Sequence, residues 1–247
     1  MTDAYDFGDG NGPVPAHKHI NGGGWVADTA SVDDDTYVGK NAVVFGHAKV
    51  SENAKVYGNA MIYGNAEVSG NVDVSGWAKV YGNAKVTGDA LVSENDVVSG
   101  YAQVSGNAVV SGDALVSENS EVTGDSMISG NAVIYGYAQV SGNAAVYEDA
   151  MVSGNAEVSG NAEVTGYAQV SGYSIVSEKA EVTGDAMVSE NAMIYGDAKV
   201  YGYAKVYGYA QVFGDAKVSG YAKVCGNAQV CGNDLVTGND LVYGEVK

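Results

Sequence analysis

The chain has 247 residues, a formal net charge of −18, 35 glycines, and only three Phe and two Trp. So few Phe and Trp exclude a conventional globular core, and a basic complement of 12 lysines without any arginine argues against a nucleic-acid partner. No apolar run approaches the roughly 20 residues of a membrane span, and the acidic, glycine-rich stretch from Met1 to Gly12 is not signal-like. Neither membrane insertion nor export by a cleaved signal is expected; a cytoplasmic or virion-associated location fits best.

Residues 1–24 hold both prolines, Pro13 and Pro15, two of the three histidines, His17 and His19, and the run Gly22-Gly23-Gly24. They read as a capping segment, with Trp25 shielding the first coil, because a solenoid end exposes strand edges that must be covered. Asp6, Asp9 and Asn11 have neither the spacing nor the terminal Glu of a calcium loop. His17, His19 and His47 are too scattered to name as zinc ligands. Neither metal nor cofactor is expected.

From Val26 to Val242 every sixth residue is Val or Ile, and four positions after each sits a small residue, usually Ala. Along Ala54-Lys55-Val56-Tyr57 the side chains alternate, so Ala54 and Val56 share one side and Lys55 and Tyr57 the other. Pairs such as Gly58-Asn59 or Glu52-Asn53 then turn the chain through positive φ. A four-residue strand and a two-residue corner, copied with every aliphatic on one side, fit coiling better than hairpins. The strands then pair in parallel with those of the next coil.

The unit Val-Ser-Gly-Asn-Ala-Glu, at Val152 to Glu157 and again at Val158 to Glu163, resembles the hexapeptide repeat. That resemblance implies an all-β fold: a single-stranded parallel β-helix (β-solenoid) of triangular section, left-handed, with three hexapeptides to the coil. Residues 25–247 would then form about 12 coils, a rod of about 58 Å at the usual strand spacing. Residues 17–30 are similar to the leader that precedes such arrays in uncharacterised bacterial and prophage-encoded proteins, which implies a phage or surface structural component.

Positions three hexapeptides apart fall in one column of such a coil. One outward column reads Val97, Leu115, Val133, Met151, flanked by Met61 and Met187; a second reads Leu91, Val109, Met127, Ala145; the third, Gln103, Glu121, Gln139, Glu157, is polar. Apolar columns on two faces mark an association surface, and a homo-oligomer, favouring a parallel trimer, is expected. Asn95, Asp113, Asn131 and Asp149 line the edge between the apolar faces.

Asp96, Asp234 and Asp240 occupy the inward small-residue position, where an unpaired carboxylate is costly, so bonds to corner amides are expected. Tyr101, Tyr137, Tyr173 and Tyr209 alternate with Asn along one corner and read as corner stacking. Lys199, Tyr201, Lys205 and Tyr207 make a candidate ligand face, since tyrosine offers flat contact area with a polar tip. Cys225 and Cys231, six apart, fall on adjacent faces beyond the roughly 7 Å reach of a disulfide, and read as free thiols. Val242 to Lys247 stay in frame, which makes the C-terminal end a candidate site for a protein partner.

Hexapeptide acyltransferases and γ-type carbonic anhydrases resemble the chain only in the repeat. Their chemistry needs a histidine base or three zinc histidines, whereas His47 is the one histidine within the array. Ice-binding surfaces need regular Thr ranks, but pairs such as Glu163-Thr165 and Lys85-Thr87 mix Thr with charge. The reading is a non-enzymatic structural rod for assembly or display, with an acyltransferase-like enzyme or a glycan- or ice-binding module as alternatives.

Overall fold

A computed structural model describes residues 3–244, all of them strand, turn or irregular backbone without helix. Glu245, Val246 and Lys247, assigned to the in-frame terminus, lie outside the described residues. The chain divides into two compact units, Met1–Asn119 and Ser120–Lys247. Each is a parallel β-solenoid with three strands to the coil and a coil length of 18 residues, the separation between stacked partners such as Asn53 and Asn71 in the first unit and Asn143 and Asn161 in the second.

In the first unit the strands β1 (Asp3–Tyr5), β2 (Val14–Lys18), β3 (Trp25–Ala27), β4 (Ser31–Val32), β5 (Tyr37–Val38) and β6 (Val43–Val44) carry the chain through its cap and around the first coil. Trp25 pairs with Val43, Ser31 with Lys49 and Tyr37 with Lys55, each in parallel. Three sheets result, one for each side of a triangle. The second unit repeats the arrangement, with Glu121 beside Gln139, Met127 beside Ala145 and Val133 beside Met151.

The regular strands are shorter than the sequence pattern predicts, two residues such as Lys55–Val56 rather than four. The reason is the corner, which begins directly after Tyr57. The hydrogen bonds nevertheless continue around it: Lys55, Tyr57 and Asn59 donate to the carbonyls of Val72, Val74 and Gly76 at 2.8, 2.9 and 2.6 Å. The ladder therefore runs through strand and corner alike. Inside, Val, Ile and Ala side chains such as Ala54, Val56, Ala60 and Ile62 are fully buried. Each such Val contributes about 1.5–3 kcal/mol through burial, against the entropy of ordering its repeat.

Stacking corner on corner explains the residue at the turn. At Gly142 φ is +71°, and a Cβ there would lie 2.9 Å from the carbonyl oxygen of Gly160 in the next coil. Six corners carry Glu instead, with φ from 60° to 63°. At one of them the side chain recovers part of the conformational cost: the Glu148 carboxylate accepts bonds from the Gly166 amide at 2.8 Å and the Thr165 hydroxyl at 2.9 Å.

The N-terminal segment covers two edges of the first coil. Strand β2 pairs antiparallel with both β1 and β3, extending one sheet beyond its first parallel strand. The following loop then covers the edge at β5, where Val38 donates to Asn21 and Gly24 donates to Val38, both at 2.9 Å. Buried His19 ties this loop down, its Nδ1 accepting from the Asn21 amide at 3.3 Å and its Nε2 lying 3.1 Å from the Asp33 carbonyl. Trp25 does not lie over the coil end. It belongs to a small cluster on the outer surface of the sheet, stacked on Tyr5 at 4.6 Å with the Lys18 ammonium 5.4 Å from its ring.

Gly142→Ala and Gly232→Ala both place a side chain at positive φ, but a Cβ at Gly232 meets nothing within 4 Å. The expected outcome is a cost of about 1–3 kcal/mol at Gly142 and a clearly smaller one at Gly232, read as melting temperatures by circular dichroism at about 2–4 °C per kcal/mol. Equal losses would show that corner stacking does not set the glycine requirement.

Candidate interaction surfaces

Outward residues form columns because each coil places its side chains beside their counterparts in the next. In the first unit Val97 stands beside Leu115, and Leu91 beside Val109; Met61 is separated from Val97 by Lys79. In the second, Val133 stands beside Met151, Met127 beside Ala145, and Met187 between Gln169 and Lys205. These residues are less open than the sequence pattern predicts. Met127 is 50% exposed, while Met61, Leu91, Val97, Val109, Leu115, Val133, Met151 and Met187 are each half-buried. On a flat parallel sheet every side chain is flanked above, below and on both sides, so even an outward aliphatic loses much of its contact with water.

The corners carry polar ladders. Asn95 donates to Asp113 at 2.8 Å and Asn131 to Asp149 at 3.0 Å, so the acidic edge is a set of amide-to-carboxylate bonds between successive coils. The corner tyrosines do not form the stack expected of them: Tyr101, Tyr137, Tyr173 and Tyr209 are exposed, and within the second unit Tyr137, Tyr173 and Tyr209 stand two coils apart rather than one. Rings stack where tyrosine or phenylalanine recurs on consecutive coils. Phe45, Tyr63 and Tyr81 form one such series, with Phe7 of the cap added to its end, and centroid spacings are 4.8–4.9 Å. The pairing of Phe7 with this series has no signal in the repeat, because Phe7 lies outside the six-residue frame.

Asp96 is fully buried in the lumen of the first unit. Its oxygens accept from the amides of Ser93 at 3.2 Å and Ala114 at 3.0 Å, which supplies the corner-amide bonds that the position requires. Burial nevertheless dominates and pushes the carboxyl up to about 7, with Glu94 and Asp113 adding to the rise. Asp234 and Asp240 use the same local bond, to Cys231 and Thr237 at 3.3 Å, but are exposed.

Charged columns behave differently. Glu67 lies between Lys49 at 3.0 Å and Lys85 at 3.3 Å, and the hydrogen bonds to those ammonium groups hold its carboxyl below the usual range. Lys199 bonds Glu181 at 2.6 Å, which raises the ammonium above its ordinary value. The candidate face Lys199, Tyr201, Lys205, Tyr207 lies entirely in the second unit, on consecutive sheets around one corner. Interaction with the buried Cys225 thiol, with burial, raises the Tyr207 phenol. Cys225 and Cys231 are both free thiols.

The three histidines have separate surroundings. His17 Nδ1 lies 2.9 Å from Asp28, His19 holds the cap, and His47 sits at a corner. Asp6 and Asp9 accept bonds from the amides of Gly8 and Asn11 within their own turns. Among the described residues no group of three or more His, Cys, Asp or Glu is arranged to hold a metal ion.

Three stretches, residues 54–70, 102–118 and 138–154, match the family model described as YdcK beta solenoid repeat. Each stretch is close to one coil long. Fold and matches together define a β-solenoid repeat protein of the hexapeptide type. No curated protein matches the chain.

Because Asp96 keeps its proton to a higher pH folded than unfolded, the folded chain binds more protons between about pH 4 and pH 7, and its stability falls as pH rises through that window. Asp96→Ala, which restores the common residue of the position, is expected to raise the melting temperature at pH 8 and to lose most of that advantage at pH 4. The difference corresponds to roughly 2–4 kcal/mol, at about 1.4 kcal/mol for each tenfold change in proton affinity. A gain independent of pH would place the carboxyl near its ordinary value.

Proposed function

We propose that the chain is a non-enzymatic structural component, built for assembly or display, that self-associates through its outward apolar residues. The observation that carries this reading is the unbroken beat of the repeat, with strands every six residues from Ser31–Val32 to Leu241–Gly244. A site for bond-making chemistry needs a positioned base, a nucleophile or a metal, and a pocket for its substrate. A chain that returns to the same geometry with every coil leaves only its faces, corners and ends for function.

Apolar side chains in outward positions favour association over a purely solvated role. Met127 stands 50% exposed in the second unit, beside Ala145, which in turn stands beside Glu163. Scattered aliphatics need no explanation on a monomer surface, but adjacent pairs such as Leu91 with Val109 and Val97 with Leu115 create contiguous apolar area on two faces of the first unit. Two such faces on a triangular section suit closure around a threefold axis, so the assembly is proposed to be a parallel trimer. A setting as a phage or surface component follows from the leader's resemblance and is part of the same proposal.

Sedimentation equilibrium of the full chain at micromolar concentration is expected to give a multiple of the monomer mass, and Met127→Lys with Met151→Lys to lower it without altering the far-ultraviolet dichroism. Gln139→Lys, on the polar face, is expected to leave the mass unchanged. A wild-type monomer would overturn the self-association, and heat of binding on titration with acetyl-coenzyme A would overturn the non-enzymatic reading.

A further inference from the structure

The second unit carries a lysine-rich stretch in an otherwise acidic chain. Residues 199–230 hold Lys199, Lys205, Lys217 and Lys223 against a single carboxylate, Asp215, although the chain as a whole carries −18. The four lysines fall in two columns, Lys199 beside Lys217 and Lys205 beside Lys223, on sheets that meet at one corner of the second unit. Lys199 is committed to Glu181, but Lys205, Lys217 and Lys223 have no ion pair among the described residues. Lys49, Lys55 and Lys85 of the first unit each stand next to an acidic residue in their columns, whereas the columns of Lys205, Lys217 and Lys223 bring lysine beside lysine.

The corner between the two columns is aromatic. Tyr203 and Tyr221 stack with centroids 4.9 Å apart and planes at 5°, and remain 51% and 60% exposed. With Lys205, Lys223, Asn239 and Leu241 they line an open groove of about 490 Å³. Stacking removes rotamer freedom from both rings before any ligand arrives, which lowers the entropic cost of using them as a platform. The two ammonium groups of the groove are tethered one strand spacing apart, about 4.8 Å.

We propose that this groove binds a linear carboxylated glycan of the uronic-acid type. The tyrosine rings offer flat surface to the pyranose faces and hydroxyls to the sugar hydroxyls, Lys205 and Lys223 take the carboxylates through charge-assisted hydrogen bonds, and Asn239 supplies a neutral polar partner. Lysine's compact ammonium takes a single carboxylate oxygen without needing the planar fork of arginine. A repeating polymer suits a surface whose own groups recur along the stack of coils, and a paired aromatic platform suits sugar rings better than the side chains of an acidic peptide.

Isothermal titration of the full chain with a galacturonate hexamer at low salt tests the assignment, with a neutral galactose hexamer and poly-L-glutamate as comparison ligands. Binding of the uronate alone is expected, weakened at least about tenfold by Lys205→Gln with Lys223→Gln, a loss of about 1.4 kcal/mol. Tyr203→Ala with Tyr221→Ala is expected to weaken it about as much, while Lys199→Gln leaves it nearly unchanged and dichroism confirms folding of each variant. No heat with the uronate at millimolar concentration would overturn the proposal. So would equal binding of poly-L-glutamate with no effect of the tyrosine changes, which would mean a merely basic patch. A lower sedimentation mass in the lysine variant, with no uronate binding by wild type, would assign the groove to an acidic surface of a second copy instead.

Discussion

Everything in this fold depends on one coil lying in register on the next. Within each unit amides of alternate residues donate to carbonyls of the following coil, through strands and through most corners, as Lys55, Tyr57 and Asn59 do toward Val72, Val74 and Gly76. A ladder that includes the corners cannot tolerate a turn of variable length, because one extra residue would shift every later side chain to the opposite side. The six-residue frame is the sequence's record of that constraint. It also accounts for the composition: from Gly46 to Gly238 the corner position is held by Gly or Glu at positive φ, and small or β-branched side chains fill a lumen three short strands wide.

The parts that repeat were legible from the sequence alone. Inward Val and Ala, outward Lys and Tyr, and the Gly-Asn corners each follow from alternation and turn chemistry in a single copy, and copying reinforced the signal. The cap was legible only as an exception. That β2 would run antiparallel to β3, and that Phe7 would stack on Phe45 from outside the sheet, depends on contacts between residues far apart in sequence with no second instance to average over. Asp96 stands between these cases. Its inward position and its amide partners could be anticipated from the frame, whereas the balance between two amide bonds and full burial could only be weighed once the distances were fixed.

Side-chain ladders show how the repeat turns a local choice into a collective property. An asparagine at one corner is a turn former; an asparagine above an aspartate, as Asn95 above Asp113, is also a bond between coils. A glutamate between two lysines, as Glu67, has its charge stabilised from both sides. Aromatic rings at the same interval stack at nearly the spacing of the backbone, 4.9 Å for Tyr195 and Phe213. Individually each exposed pair contributes less than about 1 kcal/mol, but they act at successive coils on the same opening motion, so they oppose separation together.

The same logic separates structural columns from those left for something else. A column whose groups satisfy one another, such as Asn53, Asn71 and Asp89, is closed and offers little to a partner. A column of like charges is open: Lys205 stands above Lys223 with no ion pair to either among the described residues. Leucine and methionine in an outward column are likewise unfinished, since water covers what a neighbouring coil does not. On a scaffold whose backbone is uniform, unfinished columns are where selection for a partner leaves its mark, and the two kinds differ in the partner they need: apolar pairs call for another apolar surface, and paired lysines beside stacked tyrosines call for an extended anion.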